Sequence, residues 1–417
     1  MRNATNIDLL IFNEVLRVNN AAFVFYEDKF RQNLKRLQSA FSEFYPEVKL
    51  GYSYKTNYTA DVCLAAHKES ALAEVVSEME VEMAMTHLSD KSQIIFNGPV
   101  KTPSSLEKVI LSGGIINIDN QKDIDEISNI LNKNTHANAN VAFRLNSVYE
   151  EDLSRFGQPL EIIKAQIEGL KDNVQWNIIG FHLHLPHRSL ESFAFRVQVL
   201  IEALNEMNLP NLRYINIGGG FFGTLSPGLK EALGVKNVPS FKDYGELIGR
   251  KLKEYVSKRG NGIFPTLYLE PGSSVIADCF KFVSKIHTIK YLNSRNALVS
   301  YAGRHLLSPT NKTIKLPCEV INVNRPDDHM GKDETIHYEV VGYTCIESDI
   351  LGEAEGNSRF DCNNSYIEFS NVGSYSVVMG SNFILPEPPI FKLDAENNIR
   401  VLRKKRTTLE VLNQFLS

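Results

Sequence analysis

The chain has 417 residues, 43% of them hydrophobic and 23% charged, the make-up of a soluble globular protein too long for one core of ordinary size, so two domains are expected. Its formal net charge of −4 and the lack of any groove-like Lys/Arg series exclude nucleic acid and an anionic membrane surface as main partners. No apolar run approaches the ~18 residues of a bilayer span, and the opening stretch, broken by Asp8, Asn13 and Glu14, does not read as a secretory signal. The five scattered cysteines, with no C-x-x-C, predict free thiols in a reducing cytoplasm.

In chain order, A-F-V-F-Y (22–26) is a lead-in, and eight apolar runs separated by amphipathic stretches follow it. They are V-K-L-G-Y-S-Y-K, A-E-V-V-S, I-I-F-N-G, I-I-N-I-D, V-A-F-R-L-N, I-I-G-F-H-L-H, Y-I-N-I-G-G-G and L-Y-L-E-P-G. This is the pattern of repeated β-α units, and eight of them over about 225 residues suit a closed TIM-type (β/α)8 barrel. Past residue 275 the texture changes to β-branched and aromatic runs such as F-K-F-V-S-K-I-H-T-I-K-Y and I-H-Y-E-V-V-G-Y, which predict a mostly antiparallel β-domain. R-K-K-R (403–406) reads as a solvated tail or a strand edge. There is no internal repeat and no metal-ligand spacing.

Chemistry in such a barrel sits at the C-terminal ends of the strands. The polar residues there are Lys55, Glu80, Asn97, Arg144, His184, the run Gly218, Gly219, Gly220, and Glu270. Lys55 ends a strand-like alternation of Val48, Leu50, Tyr52 and Tyr54, although an arbitrary lysine is usually a loop residue. Three glycines leave backbone N–H groups free to cradle a phosphate. A phosphate nest opposite a strand-end lysine suggests pyridoxal 5'-phosphate held as a Schiff base on Lys55, with Glu270 facing the pyridine nitrogen and His184 against the ring. His182 reads as packing within the barrel.

Together S-Y-K-T-N, V-V-S-E-M-E, I-I-F-N-G-P-V-K, S-R-F-G, F-H-L-H, I-N-I-G-G-G-F, L-E-P-G, C-I-E-S-D-I-L and G-S-Y resemble, in order and over nearly the whole chain, the fold-type III pyridoxal-phosphate decarboxylases, which include the diaminopimelate and ornithine enzymes. The resemblance implies an alanine racemase-like architecture, with a barrel over 24–275 and a β-domain formed by 1–23 and 276–417. It implies a homodimer with shared active sites. It makes Lys55, Cys345 and His184 catalytic, with Cys345 donated across the dimer interface to return a proton after carbon dioxide leaves. Gly272, Ser273 and Tyr375 join Glu80, Asn97, Arg144, the glycine run and Glu270 around the cofactor.

Three departures bear on the substrate. E-P-G is followed by Ser273, where related enzymes carry an arginine, and a serine cannot form a bidentate ion pair. After Cys345 comes Ile346 rather than an acidic residue, unless Glu347 takes that place; Asp349 lies in the same stretch. S-P-T-N-K (308–312) stands where a carboxylate-binding arginine is expected, leaving Arg304 and Lys312 as replacement charges. These departures predict an amino-acid α-decarboxylase acting on a non-standard, conjugated or carrier-linked substrate rather than diaminopimelate. An amino-acid racemase of the same fold and a non-catalytic homologue acting as a binding protein are the alternatives.

Overall fold

The computed structural model describes residues 1–207, 209–259, 263–293, 295–310, 314–323, 335–356 and 361–416. They form two compact units, one of Arg31–Gly223 and Val238–Val275, the other of Met1–Phe30, Thr224–Asn237 and Ile276–Ser417.

The first unit is the expected barrel. Each of the eight runs becomes a strand: β1 Val48–Ser53, β2 Leu72–Val75, β3 Ile94–Phe96, β4 Ile115–Ile118, β5 Ala139–Arg144, β6 Trp176–His182, β7 Tyr214–Asn216 and β8 Thr266–Leu269. All pair in parallel in chain order, and β8 closes onto β1 through Leu267 opposite Val48. Side chains alternate across a strand, and this period builds the interior in layers. A buried apolar layer contains Leu72, Ile95, Ala142, Ile179, Tyr214 and Tyr268, with Ile115 against it. Two residues further along the same faces stand Glu74, Asn97, Arg144, Asn216, Glu270 and Asn117, all buried.

The outer helices follow from caps and apolar stripes. Gln121–Lys133 is capped by Asn120, which accepts from the Asp123 N–H, and buries Ile124, Ile127, Ile130 and Leu131. Leu190–Glu206 starts at the Ser189 cap and buries Phe193, Val197, Leu200 and Leu204. Arg196 falls on the same buried stripe.

The second unit is the mostly antiparallel β-structure. The long strand Phe280–Leu292 pairs antiparallel with Ser365–Ser370, Ala21–Tyr26 and Arg295–Ser300. Cys318–Asn322 pairs antiparallel with Ser365–Ser370. Parallel pairings join Ile390–Leu393 to Ala21–Tyr26 and Ile336–Val341 to Arg295–Ser300. A-F-V-F-Y is thus a strand of this sheet, buried among Val283, Ile321 and Tyr366. Ile399–Arg403 is an edge strand, where the first residue of R-K-K-R lies. Among the described residues no helix is long and apolar enough to cross a membrane.

Candidate active site

β1 stops at Ser53, and the chain turns through a single 3-10 turn, Tyr54–Thr56, that carries Lys55. Tyr54 and Thr56 are buried, while the Lys55 side chain is 41% exposed. Lys55 Nζ donates to Glu74 Oε2 at 2.7 Å. Glu74, which the sequence reading passed over in favour of Glu80, lies on β2 at the level of the other polar interior residues.

Glu74 belongs to a connected polar layer. Asn97 Nδ2 donates to Glu74 Oε1 and to Glu270 Oε1, both at 2.8 Å, so one amide bridges two carboxylates. Asn117 donates to Asn97 Oδ1 at 2.6 Å and to the Tyr214 hydroxyl at 2.9 Å. Asn216 donates to Glu270 Oε1 at 2.7 Å and also to the Tyr214 hydroxyl. His182 is not mere packing, because its Nε2 lies 3.3 Å from Glu270 Oε2. Burial alone would raise the Glu270 pKa, but His182, Lys55 and the Asn97 hydrogen bond outweigh it and hold the carboxyl well below its ordinary value. The barrel therefore keeps a fixed anion at the end of β8.

Glu80 sits in the first turn of the helix Glu78–His87, and its Oε2 accepts from the Val76 N–H at 2.8 Å. Burial pushes its pKa up to about 7 despite that hydrogen bond, and Glu74 adds to the rise. Arg144 is buried, with Nη1 3.5 Å from Asp119 Oδ1 and its guanidinium 4.6 Å from the Phe156 ring centre. Asp119 Oδ1 also accepts from the Gly157 N–H at 3.0 Å, which ties the S-R-F-G loop to β4.

The glycine run departs from the simple nest. The Gly218 N–H donates to Asn216 Oδ1 at 2.8 Å, and the Gly219 N–H donates to His184 Nδ1 at 2.9 Å. Among the described residues the Gly220 and Phe221 amides meet no protein acceptor. The first two amides are thus taken by Asn216, the last residue of β7, and by His184, two residues beyond the end of β6. Gly218 and Gly220 have φ of +69° and +92°, and a Cβ on Gly219 would lie 2.2 Å from the Glu270 carbonyl oxygen. Only glycine satisfies these three positions. The bond from Gly219 fixes His184 as an Nδ1 acceptor, hence with its proton on Nε2. Burial, then Arg196 and Arg144, push its pKa well below the ordinary value.

Beneath the loop, Arg196 is fully buried. Its Nη1 donates to the Ile217 and Gly219 carbonyls at 3.2 and 2.8 Å, and its Nη2 to those of Leu185 and His187 at 2.7 and 2.5 Å. Gly272 packs on Thr56, and Ser273 opens the short helix Ser273–Ile276. A cavity of about 250 Å³ opens beside His184, lined also by Tyr149, Arg155, Phe156 and His187. A larger one, about 980 Å³, lies near Asn140, Trp176 and Asn177 at the N-terminal ends of β5 and β6, away from these groups.

The remaining expected residues belong to the second unit. Cys345 is exposed and Ile346 is 52% exposed. Glu347 follows them on the same exposed stretch. Asp349 is buried and accepts from the Arg304 N–H at 2.9 Å and from the Thr344 hydroxyl at 2.5 Å. Arg304 donates from Nη1 to the Ile314 carbonyl at 3.0 Å and from Nη2 to that of Ile350. Tyr375 holds a left-handed backbone, φ 66°, at the start of the helix Ser376–Met379. Lys312 lies outside the described residues.

The barrel residues fit pyridoxal 5'-phosphate: a strand-end amine, a buried anion for the ring nitrogen, a neutral imidazole, and backbone amides without acceptors in a loop that no Cβ could enter. Residues 28–277 match the family described as pyridoxal-dependent decarboxylase, pyridoxal binding domain. The diaminopimelate decarboxylase of Methanothermobacter thermautotrophicus is 24% identical over 410 residues, 94% of this chain and 90% of that protein. That of Methanocaldococcus jannaschii is 23% identical over 425 residues, 94% of this chain and 90% of that protein. The crystal structure of the M. jannaschii enzyme superposes with a TM-score of 0.83 at 21% identity, covering 98% of this chain and 94% of that one. A lysine/ornithine decarboxylase from Vibrio vulnificus, complexed with putrescine, superposes at 0.73 with 16% identity, covering 94% and 99%. With the family match spanning more than half of its length, the chain belongs to the fold-type III pyridoxal-dependent decarboxylases and uses pyridoxal 5'-phosphate.

Proposed function

We propose that the chain is an α-decarboxylase of a non-standard amino acid, free, conjugated or carrier-linked, in a specialised biosynthetic pathway. The observation that carries this reading is where the charges are used. Ser273 is neutral, and the Arg304 guanidinium is engaged by the Ile314 and Ile350 carbonyls. Diaminopimelate carries a second amino-acid head, and burying its charges without partners would cost several kcal/mol.

When bound, pyridoxal 5'-phosphate supplies an aldehyde that condenses with amines and a ring that accepts the electron pair left as carbon dioxide departs. Lys55 would hold the cofactor through its amine, which Glu74 orients by the 2.7 Å hydrogen bond. Glu270 holds a proton at the ring nitrogen. His184, kept neutral, would face the ring without adding charge. Cys345 returns a proton to the α-carbon, a role suited to a thiol whose ordinary pKa is about 8.5. Tyr375, Arg144, Asn97 and Glu80 complete the cofactor's surroundings.

We further read the chain as a homodimer. The exposure of Cys345 and Ile346 supports a partner that meets this stretch, and mixing Lys55→Ala with Cys345→Ala protein should restore activity that neither has alone. The five free cysteines support a cytoplasmic setting. Carbon dioxide release from a panel of amino acids tests the substrate, with meso-diaminopimelate as the control. Efficient turnover of meso-diaminopimelate overturns the proposal.

A further inference from the structure

The barrel buries several cations, and one stands apart. Lys101 lies 2.7 Å from Asp123, Arg144 is 3.5 Å from Asp119, and the partly exposed Lys55 is 2.7 Å from Glu74. Arg196, fully buried on an apolar helix stripe, has no carboxylate within ion-pair distance among the described residues, and its Nε meets no acceptor. Carbonyl dipoles and the face of Phe193, 3.9 Å from the guanidinium carbon, surround it instead. A buried charge left without a counter-ion is unfavourable, and such a group persists where an anion completes it.

The four carbonyls show where that anion belongs. Ile217 and Gly219 bracket the start of the glycine loop, and Leu185 and His187 belong to the segment after His184. A Cβ on Gly220 would come within 3.5 Å of Arg196 Nη2, so the guanidinium lies close against Gly220, the first of the amides that lack acceptors. A cation under free backbone N–H groups is a built anion site.

We infer that Arg196 is the cation that balances the cofactor's phosphate from beneath the glycine loop, a positioning residue that supplies the charge Ser273 does not. By gripping carbonyls on both segments, it also holds His184 and Gly219 in register for their hydrogen bond. Burial first, and then its field, keep His184 neutral. The inference rests on the glycine loop as the phosphate cradle.

The experiment compares binding of pyridoxal 5'-phosphate and of unphosphorylated pyridoxal to the apoprotein, by absorbance titration, in wild type, R196K and R196Q. Wild type should strongly prefer the phosphorylated form. R196Q should lose roughly ten- to a hundredfold in affinity for it, the range of a charge interaction across a partly buried gap, while pyridoxal changes by less than about threefold. R196K, which keeps the charge, should retain most of the preference. Equal weakening of both ligands in R196Q marks a merely structural arginine and overturns the inference, as does an unchanged preference. Should R196Q fail to fold, R196M, which also removes the charge while keeping the length of the side chain, takes its place and is read by the same two outcomes, with R196K as the control that keeps the charge. If wild type itself binds both forms alike, the cradle reading falls first and the role of Arg196 with it.

Discussion

Replacing Gly219 with alanine tests the geometry of the site most directly. The new Cβ would stand 2.2 Å from the Glu270 carbonyl oxygen. Restoring even 3.0 Å requires that oxygen or the loop to retreat by about 0.8 Å, and neither is free to do so. The Glu270 N–H donates to the Gly218 carbonyl at 3.0 Å, and the Gly219 N–H is held by His184. Overpacking a rigid interior costs about 1–3 kcal/mol. Because the strain falls where the glycine loop meets the end of β8, most of it should appear as weaker cofactor binding, roughly 5- to 150-fold. Titration of the apoprotein with pyridoxal 5'-phosphate, followed by absorbance near 420 nm, reads the loss. Binding within threefold of wild type, with carbon dioxide release unchanged, would refute the claim that Glu270 and the loop form one rigid block.

Three further outcomes follow from the same residues. Gly169, inside the helix Leu160–Leu170, has nothing within 4 Å of a built Cβ, so Gly169→Ala should stabilise the chain by about 0.5–1 kcal/mol in chemical unfolding. The Glu80 carboxyl titrates near 7 in the folded chain against an ordinary 4.5, so between these values the folded state keeps a proton that the unfolded state has lost. Wild type should therefore lose stability relative to Glu80→Gln as pH rises from about 4.5 to 7, by up to about 3 kcal/mol, and the difference should then stay level; a wild type that gains stability relative to Glu80→Gln over that range contradicts the burial argument. The apoprotein's His184 should remain the neutral Nε2–H tautomer at pH 6 in nitrogen-15 correlation spectra, and an imidazolium signal there would exclude the Gly219 to Nδ1 bond.

The barrel was legible because every strand ends in a run that changes from apolar to polar, and the same change marks where the chemistry begins. Less of the site was legible because the reading looked for polar residues beyond the strands. Glu74, Asn117 and Asn216 lie within strands or at their last residue, each two positions after an apolar interior residue, Leu72, Ile115 and Tyr214. Applying the two-residue period to every run would have found them. Arg196 carried a different signal, a charge on the stripe of Phe193, Val197 and Leu200, which marks a buried arginine with a task. The membership of Thr224–Asn237 in the second unit left no comparable trace, since its capped helix Pro227–Ala232 reads like any surface helix.

The histidines of F-H-L-H owe their placement to a slip in strand register, which is why His182 reads as packing in the sequence yet meets Glu270 in the fold. In β6 the pairing with β5 slips between Ile178 and Gly180, so that Gly180 stands opposite Ala142 and His182 opposite Arg144. Without this bulge Ile179 would face Ala142, and Phe181 would occupy the place beside Arg144 where His182 meets Glu270. The slip depends on a residue without a side chain, because a Cβ at Gly180 would lie 1.7 Å from the Tyr214 carbonyl oxygen. Gly180→Ala should therefore cost about 1–3 kcal/mol of stability, and it should also loosen the Glu270 and Gly219 contacts of His182 and His184 together. A variant that loses stability yet binds the cofactor as wild type does would show that the two histidines do not owe their placement to the bulge.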